Sequence, residues 1–185
     1  NSPLIKVKAF NKILCNLDRI DSSLNKLKEL NPDLFNLVLK HSLTEKYLDI
    51  PKIAFSIIMP TYNRANCICN AIDSVLKQNH QNFELIIIDD GSNDQTEEII
   101  FRNYINELET EKIRFLKLNE NIGVSFARNV GLEIAKNPWI AYMDSDNTIR
   151  PYFLKIFASF IIDNPENIIL YSQFLVKDDS VIIGK

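Results

Sequence analysis

The chain has 185 residues, of which 46% are apolar and 24% are charged, and its formal net charge at pH 7 is −3. This composition suits one globular domain with an appendage, or two very small domains. Its apolar runs fall far short of the roughly 18 residues of a membrane helix, so no transmembrane segment is predicted. Residues 1–52 hold 9 Lys or Arg against 6 Asp or Glu and residues 53–185 hold 12 against 18, and an acidic main part without a basic stripe argues against a nucleic-acid partner.

The amino-terminal residues, from 4 to about 48, are rich in Leu, Lys and Asn, with apolar residues at helical spacing. Asn31-Pro32 interrupts the pattern, because the residue before proline avoids the helical region and proline suits the first turn of a helix. We expect two or three short helices over 1–50 that act as an extension or spacer, with a partner-binding role as the alternative.

The three cysteines, Cys15, Cys67 and Cys69, cannot all pair, and Cys-x-Cys is not the spacing of a structural zinc site. Reduced thiols in a cytoplasmic protein are the simplest interpretation. No signal peptide is visible, but the sequence begins at Asn1 without a methionine, so we expect that an upstream piece has been removed.

After Pro51 five apolar strand candidates alternate with helical patterns, which predicts an α/β domain over 51–185 with a mostly parallel, Rossmann-like sheet and helices on both faces. The predicted strands are 53–59, 84–89, 113–118, 139–143 and 168–175, and the predicted helices are 65–78, 94–108, 124–136 and 151–162. In such sheets ligands bind beyond the carboxyl ends of the strands, where the loops converge.

Polar residues follow four of these strands, in the segments Pro60–Arg64, Asp89–Ser92, Asn119–Gly123 and Asp144–Asn147. The last segment is an Asp-x-Asp, and an extended backbone would direct Asp144 and Asp146 to the same side. Two such carboxylates repel each other unless a cation with a preference for oxygen ligands, Mg²⁺ or Mn²⁺, lies between them. The alternative is a polar turn that caps the helix near Pro151.

Asp89 and Asp90 form a second acidic pair at a strand end, and a ligand N–H group is one donor that could satisfy them. The chain has only four glycines and contains neither of the glycine-rich loops that cradle phosphates. A phosphate ligand would therefore need a metal and single basic residues, for which Arg64 and Arg128 are the candidates.

Three stretches together resemble bacterial glycosyltransferases of family 2, which have the GT-A fold: FSIIMPTYNR at 55–64, FELIIIDDGSNDQT at 83–96 and NENIGVSFARNVGLEIAKNPWIAYMDSDN at 119–147. The resemblance covers about residues 53–175. It is specific as a set, although no single stretch would be.

The resemblance implies a nucleotide-sugar site whose predicted residues are Pro60, Thr61, Tyr62, Arg64, Asp89, Asp90, Arg128, Asp144 and Ser145. Tyr62 would pack on the nucleotide base, and Asp90 would accept a hydrogen bond from the imide N–H of uracil. Asp144 would approach the ribose and the metal, and Asp146 would ligate the Mn²⁺ or Mg²⁺ that bridges the diphosphate.

The implied reaction is transfer of a sugar, with inversion, from a UDP-sugar to a hydroxyl of a glycan or lipid-linked acceptor in bacterial surface polysaccharide synthesis. It would take place in the cytoplasm, with the inner face of the membrane as the narrower expectation. The family's catalytic base lies far downstream of the Asp-x-Asp, and only 39 residues follow Asp146 here. We therefore expect the donor-binding part of a longer enzyme, with the base outside this chain.

Three alternatives stay open. A catalytically inactive domain of the same fold could bind nucleotide-sugars or act as a scaffold. A receiver-type module would need an acidic pair after the first strand, where this chain has Pro-Thr-Tyr. A sugar-nucleotide pyrophosphorylase would need a glycine- and arginine-rich opening loop, which is missing.

Overall fold

The computed structural model describes residues 52–163, the single residue Glu29, and the short segments 175–177 and 182–184. The chain divides into two compact units, of which Leu48–Asp163 contains the main sheet, and the two short segments belong to the other. The helices predicted over 1–50 lie outside the described residues except at Glu29, whose backbone is helical. The predicted domain boundaries stay a prediction.

The main unit alternates strands and helices in the order that the sequence predicts. Its elements are β1 (Phe55–Thr61), α1 (Ile68–Leu76), β2 (Phe83–Asp89), α2 (Thr96–Asn103), α3 (Ile105–Glu109), β3 (Ile113–Lys117), α4 (Val124–Glu133), β4 (Trp139–Tyr142) and α5 (Phe153–Asp163). The strands lie in the order β3-β2-β1-β4, and all three pairings are parallel. The predicted parallel α/β sheet is confirmed.

The core is centred on β1 and β2, the two central strands. Every residue of both strands is buried, so both faces of the sheet are covered, as strands with nearly continuous apolar runs require. Helix α1 buries one stripe of residues spaced three and four apart, which is the spacing of one helical face: Ile68, Ala71, Ile72 and Val75.

Helix α4 approaches the sheet closely because it places small residues against it. Ala127 packs with Ile86 and Ile88, and Gly131 faces Ile58 so closely that an added Cβ would overlap the Ile58 side chain. This close packing fixes the helix that contains Arg128.

The single helix predicted over 94–108 is wrong in one respect, because the helix breaks at Tyr104 into α2 and α3. Tyr104 is only 6% exposed, and its hydroxyl lies 2.8 Å from Asp73 Oδ1 and 3.1 Å from Cys69 O on α1. Burying this ring and bonding its hydroxyl outweigh the helical propensity of the segment.

A buried carboxylate ties the amino-terminal half of the sheet together. Glu84, on β2, accepts hydrogen bonds from Ser56 Oγ (2.6 Å), Lys136 N (2.7 Å) and Arg114 Nη1 (2.9 Å). Burial alone would raise the pKa of Glu84, but these three hydrogen bonds outweigh it and hold that pKa below its ordinary value. The bond to Lys136 N also fixes the connection between α4 and β4.

The second unit contributes an antiparallel pair, β5 (Leu175–Lys177) with β6 (Ile182–Gly184). The predicted fifth strand, 168–175, lies outside the described residues except at Leu175. Over the part of the chain that the structure describes, no helix has the length and hydropathy needed to cross a membrane.

Candidate functional site

The carboxyl ends of the four strands bring the predicted loops to one edge of the sheet, as parallel pairing requires. At its centre the β1–β2 pairing reaches one residue past the strands, since Asp90 N donates to Thr61 O at 2.8 Å. The predicted residues that follow β1 and β2 are thereby neighbours.

Asp90 holds the loop that leads into α4. Its carboxylate accepts hydrogen bonds from Ile122 N (2.9 Å) and Gly123 N (2.8 Å), one on each oxygen, and the residue is 3% exposed. Gly91 has φ +74°, and a Cβ there would lie 2.6 Å from the carbonyl carbon of Glu120. A side chain at position 91 would therefore push this loop away.

Asp89 is fully buried and organises its own turn. Its Oδ1 accepts from Ser92 N at 2.9 Å, and its Oδ2, without a hydrogen bond among the described residues, lies 4.0 Å from Lys117 Nζ. Thr61 Oγ1, at the paired position of β1, is likewise buried without a described partner. The predicted nucleotide-sugar contacts of Asp89 and Thr61 stay predictions.

The loops after β1 and β2, residues 62–65 and 92–96, are called here the paired loops. Four hydrogen bonds join them, each between a side chain of one loop and a backbone amide of the other. The bonds run from Asn63 N to Ser92 Oγ (2.9 Å), from Asn93 N to Asn63 Oδ1 (3.0 Å), from Arg64 N to Thr96 Oγ1 (2.9 Å) and from Ala65 N to Asp94 Oδ2 (3.1 Å). The sequence interpretation did not identify Asn63, whose backbone has φ +51°. The sequence offers one signal for this role, which is that asparagine tolerates a positive φ better than most residues.

Asp94 and Cys67, which both lie at this edge, have shifted pKa values. Burial would raise the pKa of Asp94, but hydrogen bonds, first from Thr96 and then from Ala65 N, outweigh it and lower that pKa. Burial raises the pKa of the Cys67 thiol, so this thiol is protonated near neutral pH. Its Sγ lies 3.9 Å from Ser145 O, which joins the start of α1 to the turn after β4.

The Asp-x-Asp lies in a turn and not in an extended strand. β4 ends at Tyr142, and Asn147 N donates to Asp144 O at 3.2 Å. The prediction that Asp144 and Asp146 lie on an extended strand is therefore wrong, because the chain has already turned, and strand alternation does not apply to them. Neither carboxylate caps the following helix among the described residues, since each accepts its hydrogen bond from an arginine.

Those two arginines come from separate elements. Arg128 Nη2, on α4, lies 2.8 Å from Asp144 Oδ1, and Arg64 Nη2, in the loop after β1, lies 3.2 Å from Asp146 Oδ2. The aspartate side chains are 51% and 50% exposed. The structure thus brings the two predicted phosphate-binding arginines to the two predicted metal ligands.

The donor set fits a divalent cation of the Mg²⁺ or Mn²⁺ kind. Among the described residues the second oxygen of each aspartate accepts no hydrogen bond, and two carboxylates together with substrate phosphates are a usual way to hold such an ion. No group of three or more His, Cys, Asp or Glu side chains gathers within the described ranges.

The other predicted residues divide by exposure. Tyr62 is 39% exposed at the edge, where its ring is accessible to a base, whereas Pro60 is buried within β1. Ser145 is 5% exposed. Tyr142, which the sequence interpretation did not select, is 52% exposed and its ring centroid lies 6.0 Å from Arg128 Cζ.

Comparison with known proteins identifies the family of this chain. The family model described as Glycosyl transferase family 2 matches residues 56–185. An uncharacterized glycosyltransferase of Haemophilus influenzae is 44% identical over 110 residues, which are 59% of this chain and 42% of that protein. The E. coli protein named UDP-Glc:alpha-D-GlcNAc-diphosphoundecaprenol beta-1,3-glucosyltransferase WfgD is 35% identical over 130 residues, which are 70% of this chain and 49% of its own length. The chain thus spans less than half of each of these relatives.

Solved structures agree as well. TarS 1–349 of S. aureus, crystallised with UDP-GlcNAc, matches with a TM-score of 0.56 and 34% identity, covering 61% of this chain and 32% of that one. The mannosyltransferase PcManGT of Pyrobaculum calidifontis, in complex with GDP-Man and Mn²⁺, has a TM-score of 0.54 over 78% of this chain and 44% of its own, and at 20% identity it supports the fold alone. The chain therefore belongs to glycosyl transferase family 2 and has the GT-A fold.

Proposed function

We propose that the carboxyl edge of the sheet binds a nucleotide-diphospho-sugar, with a UDP-sugar as the donor. The chain would be the donor-binding part of an enzyme that transfers the sugar to an acceptor hydroxyl with inversion. One observation carries the proposal: two half-exposed carboxylates and two arginines meet at the edge of a parallel sheet where ligands bind. Membership of family 2 supports it.

The nucleoside would lie over the ends of β1 and β2. Tyr62 supplies an exposed aromatic face for the base. Each oxygen of Asp90 already accepts one amide hydrogen bond, and a carboxylate oxygen has a second lone pair that an imide N–H can use. Asp90 would then fix the loop into α4 and the base at the same time.

The diphosphate would lie between this position and the turn after β4. Arg64 and Arg128 are long enough and exposed enough to contact its oxygens, and guanidinium groups suit phosphate geometry. A divalent cation bound by Asp144 and Asp146 would supply charge stabilisation for the departing nucleoside diphosphate. The chain's own part is to hold the two phosphates in place between these charges.

The base that accepts the proton of the acceptor hydroxyl is not expected among the four aspartates at the strand ends. Asp89 and Asp90 are buried and Asp144 and Asp146 are paired with arginines, so none of these four carboxylates is free for that task.

Relatives indicate the kind of product. The name of WfgD includes a UDP-glucose donor and a diphosphoundecaprenol acceptor, and TuaG of Bacillus subtilis is named as a putative teichuronic acid biosynthesis glycosyltransferase. We extend these to this chain as a proposal: a glycan or lipid-linked acceptor, surface polysaccharide as the product, and a site of action in the cytoplasm at the inner face of the membrane.

The test is a thermal-shift panel on the full chain with UDP, GDP, CDP and TDP, each with Mn²⁺ and with a chelator. Ligand at about 100 times its dissociation constant stabilises by roughly 2.7 kcal/mol, which is several degrees for a domain of this size. We expect the largest shift with UDP and Mn²⁺. No shift with any nucleotide would overturn the proposal and favour the scaffold alternative.

The matched variants are Asp146→Asn and Glu111→Gln. Asp146→Asn should abolish the part of the shift that depends on Mn²⁺ and leave the fold intact. Glu111 also forms an exposed ion pair, with Lys136 at 2.6 Å, but it precedes β3 at the opposite edge of the sheet, so its variant should keep the whole shift. An unchanged Mn²⁺ effect in Asp146→Asn would remove that residue from the metal site.

A further inference from the structure

The turn after β4 is electrically balanced within the protein. Asp144 and Asp146 carry two negative charges, and Arg128 and Arg64 bring two positive charges within 2.8 and 3.2 Å of them. The repulsion that would otherwise separate the two carboxylates is thereby compensated before any ligand binds.

Both ion pairs are of the weak kind. Each arginine uses one nitrogen on one carboxylate oxygen, whereas the strong form of this contact uses two parallel bonds. Arg128 Nε is buried and has no hydrogen-bond partner among the described residues. Each guanidinium therefore keeps donors unused, and a partner with more acceptor oxygens would bind it better.

The backbones of the two arginines are fixed while their ends are exposed. Arg64 O accepts from Cys67 N (3.0 Å) and Ile68 N (2.9 Å) at the start of α1, and Arg128 follows Ala127, which is buried against the sheet. The side chains of Arg64 and Arg128 are 42% and 36% exposed. Their guanidinium groups can change partner by side-chain rotation alone.

We propose that Arg64 and Arg128 are exchangeable counter-ions, which neutralise Asp146 and Asp144 in the free protein and move to the diphosphate when the donor binds. This inference rests on the proposed function and adds a coupling to it. The charges balance in both states: two arginines against two carboxylates in the free protein, then two carboxylates against a divalent cation and two arginines against the two phosphate charges of a nucleotide-sugar.

The consequence is positive cooperativity between metal and nucleotide. A cation that binds alone competes with both arginines for the charge of the two carboxylates, and a nucleotide that binds alone competes with the carboxylates for the same two arginines. Whichever ligand binds first removes this cost for the second, and the coupling is reciprocal.

The test measures Mn²⁺ binding to the full chain by the electron paramagnetic resonance signal of free Mn²⁺, with and without saturating UDP. For the wild type we expect UDP to tighten Mn²⁺ binding about tenfold or more, within the usual range of such couplings. Arg64→Gln and Arg128→Gln should each tighten Mn²⁺ binding without UDP by about two- to fivefold, the range that corresponds to losing an exposed ion pair, and should reduce the effect of UDP.

Lys117→Gln is the charge control. Lys117 lies at the same edge of the sheet, but its ammonium pairs with Glu97 at 2.8 Å and approaches Asp89, not the Asp-x-Asp turn. If the arginine variants acted merely by making the edge more negative, Lys117→Gln would tighten Mn²⁺ binding to a similar degree. We expect Lys117→Gln to stay close to the wild type.

Each outcome of these measurements supports or overturns the proposal. The counter-ion exchange is overturned if Mn²⁺ binding is unchanged in both arginine variants, or if Lys117→Gln tightens it equally. In either case, UDP binding by the wild type leaves the proposed function standing. Failure of the wild type to bind UDP, with or without Mn²⁺, overturns both.

Discussion

Replacing Glu84 by glutamine keeps the shape of a buried side chain and removes its charge. Glutamine can still accept on one oxygen, but its amide group then faces either Arg114 Nη1 or Lys136 N, which are donors themselves. A hydrogen bond to a charged group contributes about 1.5–3 kcal/mol, and Arg114, 24% exposed, recovers part of its hydration. We therefore expect Glu84→Gln to lower the free energy of unfolding by about 2–3 kcal/mol.

The assay is urea unfolding followed through Trp139, the single tryptophan of the chain, which lies on β4 and pairs with Phe55 of β1. Glu111→Gln is the control, because it removes an exposed carboxylate at the amino-terminal edge of the sheet, where Glu84 also lies. Its unfolding midpoint should stay close to that of the wild type. A loss below about 0.5 kcal/mol in Glu84→Gln, the range of ordinary surface substitutions, would refute the idea that this carboxylate ties the sheet together.

The loss of stability in Glu84→Gln depends on pH in a defined direction. The folded state lowers the pKa of Glu84 from its ordinary value of 4.5, so its contribution is complete at pH above that value and is lost as the pH falls through the lower folded pKa. The difference between the wild type and Glu84→Gln should therefore be constant near neutral pH and shrink below 4.5. A difference that grows on acidification would contradict the assigned sign.

Two glycine substitutions test the close contacts. Gly131→Ala should destabilise the fold by about 1–2 kcal/mol in urea unfolding, because overpacking against Ile58 exceeds the gain in helix propensity; a stabilised variant would contradict the close approach of α4. Gly91→Ala combines a positive φ with a collision at Glu120 and should cost about 1–3 kcal/mol. It should also raise the hydrogen-exchange rates of the amides of Ile122 and Gly123, which bond to Asp90, and unchanged rates would show that the loop does not rest on Gly91.

The sheet could be predicted because its signals are local. The strand at Phe83–Asp89 contains five apolar residues, three of which are the β-branched isoleucines at 86–88, and its short length favours a strand over a helix. The carboxyl-edge loops could be placed for the same reason, since parallel pairing fixes which ends meet.

Features that depend on distant partners could not be predicted. The break at Tyr104 depends on Asp73, 31 residues earlier, and the pairing of Arg64 with Asp146 spans 82 residues. The error over Asp144 and Asp146 had a different cause: strand alternation was extended past Tyr142, where β4 ends. A polar, turn-forming Asp-Ser-Asp-Asn sequence indicates the end of a strand more reliably than its continuation.

The four bonds between the paired loops have a consequence for engineering. Since each loop supplies side chains that satisfy the amides of the other, a graft of one loop from a homologue would leave unmatched donors at the recipient's edge. An exchange of these loops between homologues should therefore transplant residues 62–65 and 92–96 together as one cassette, and recombination libraries should place no crossover between them.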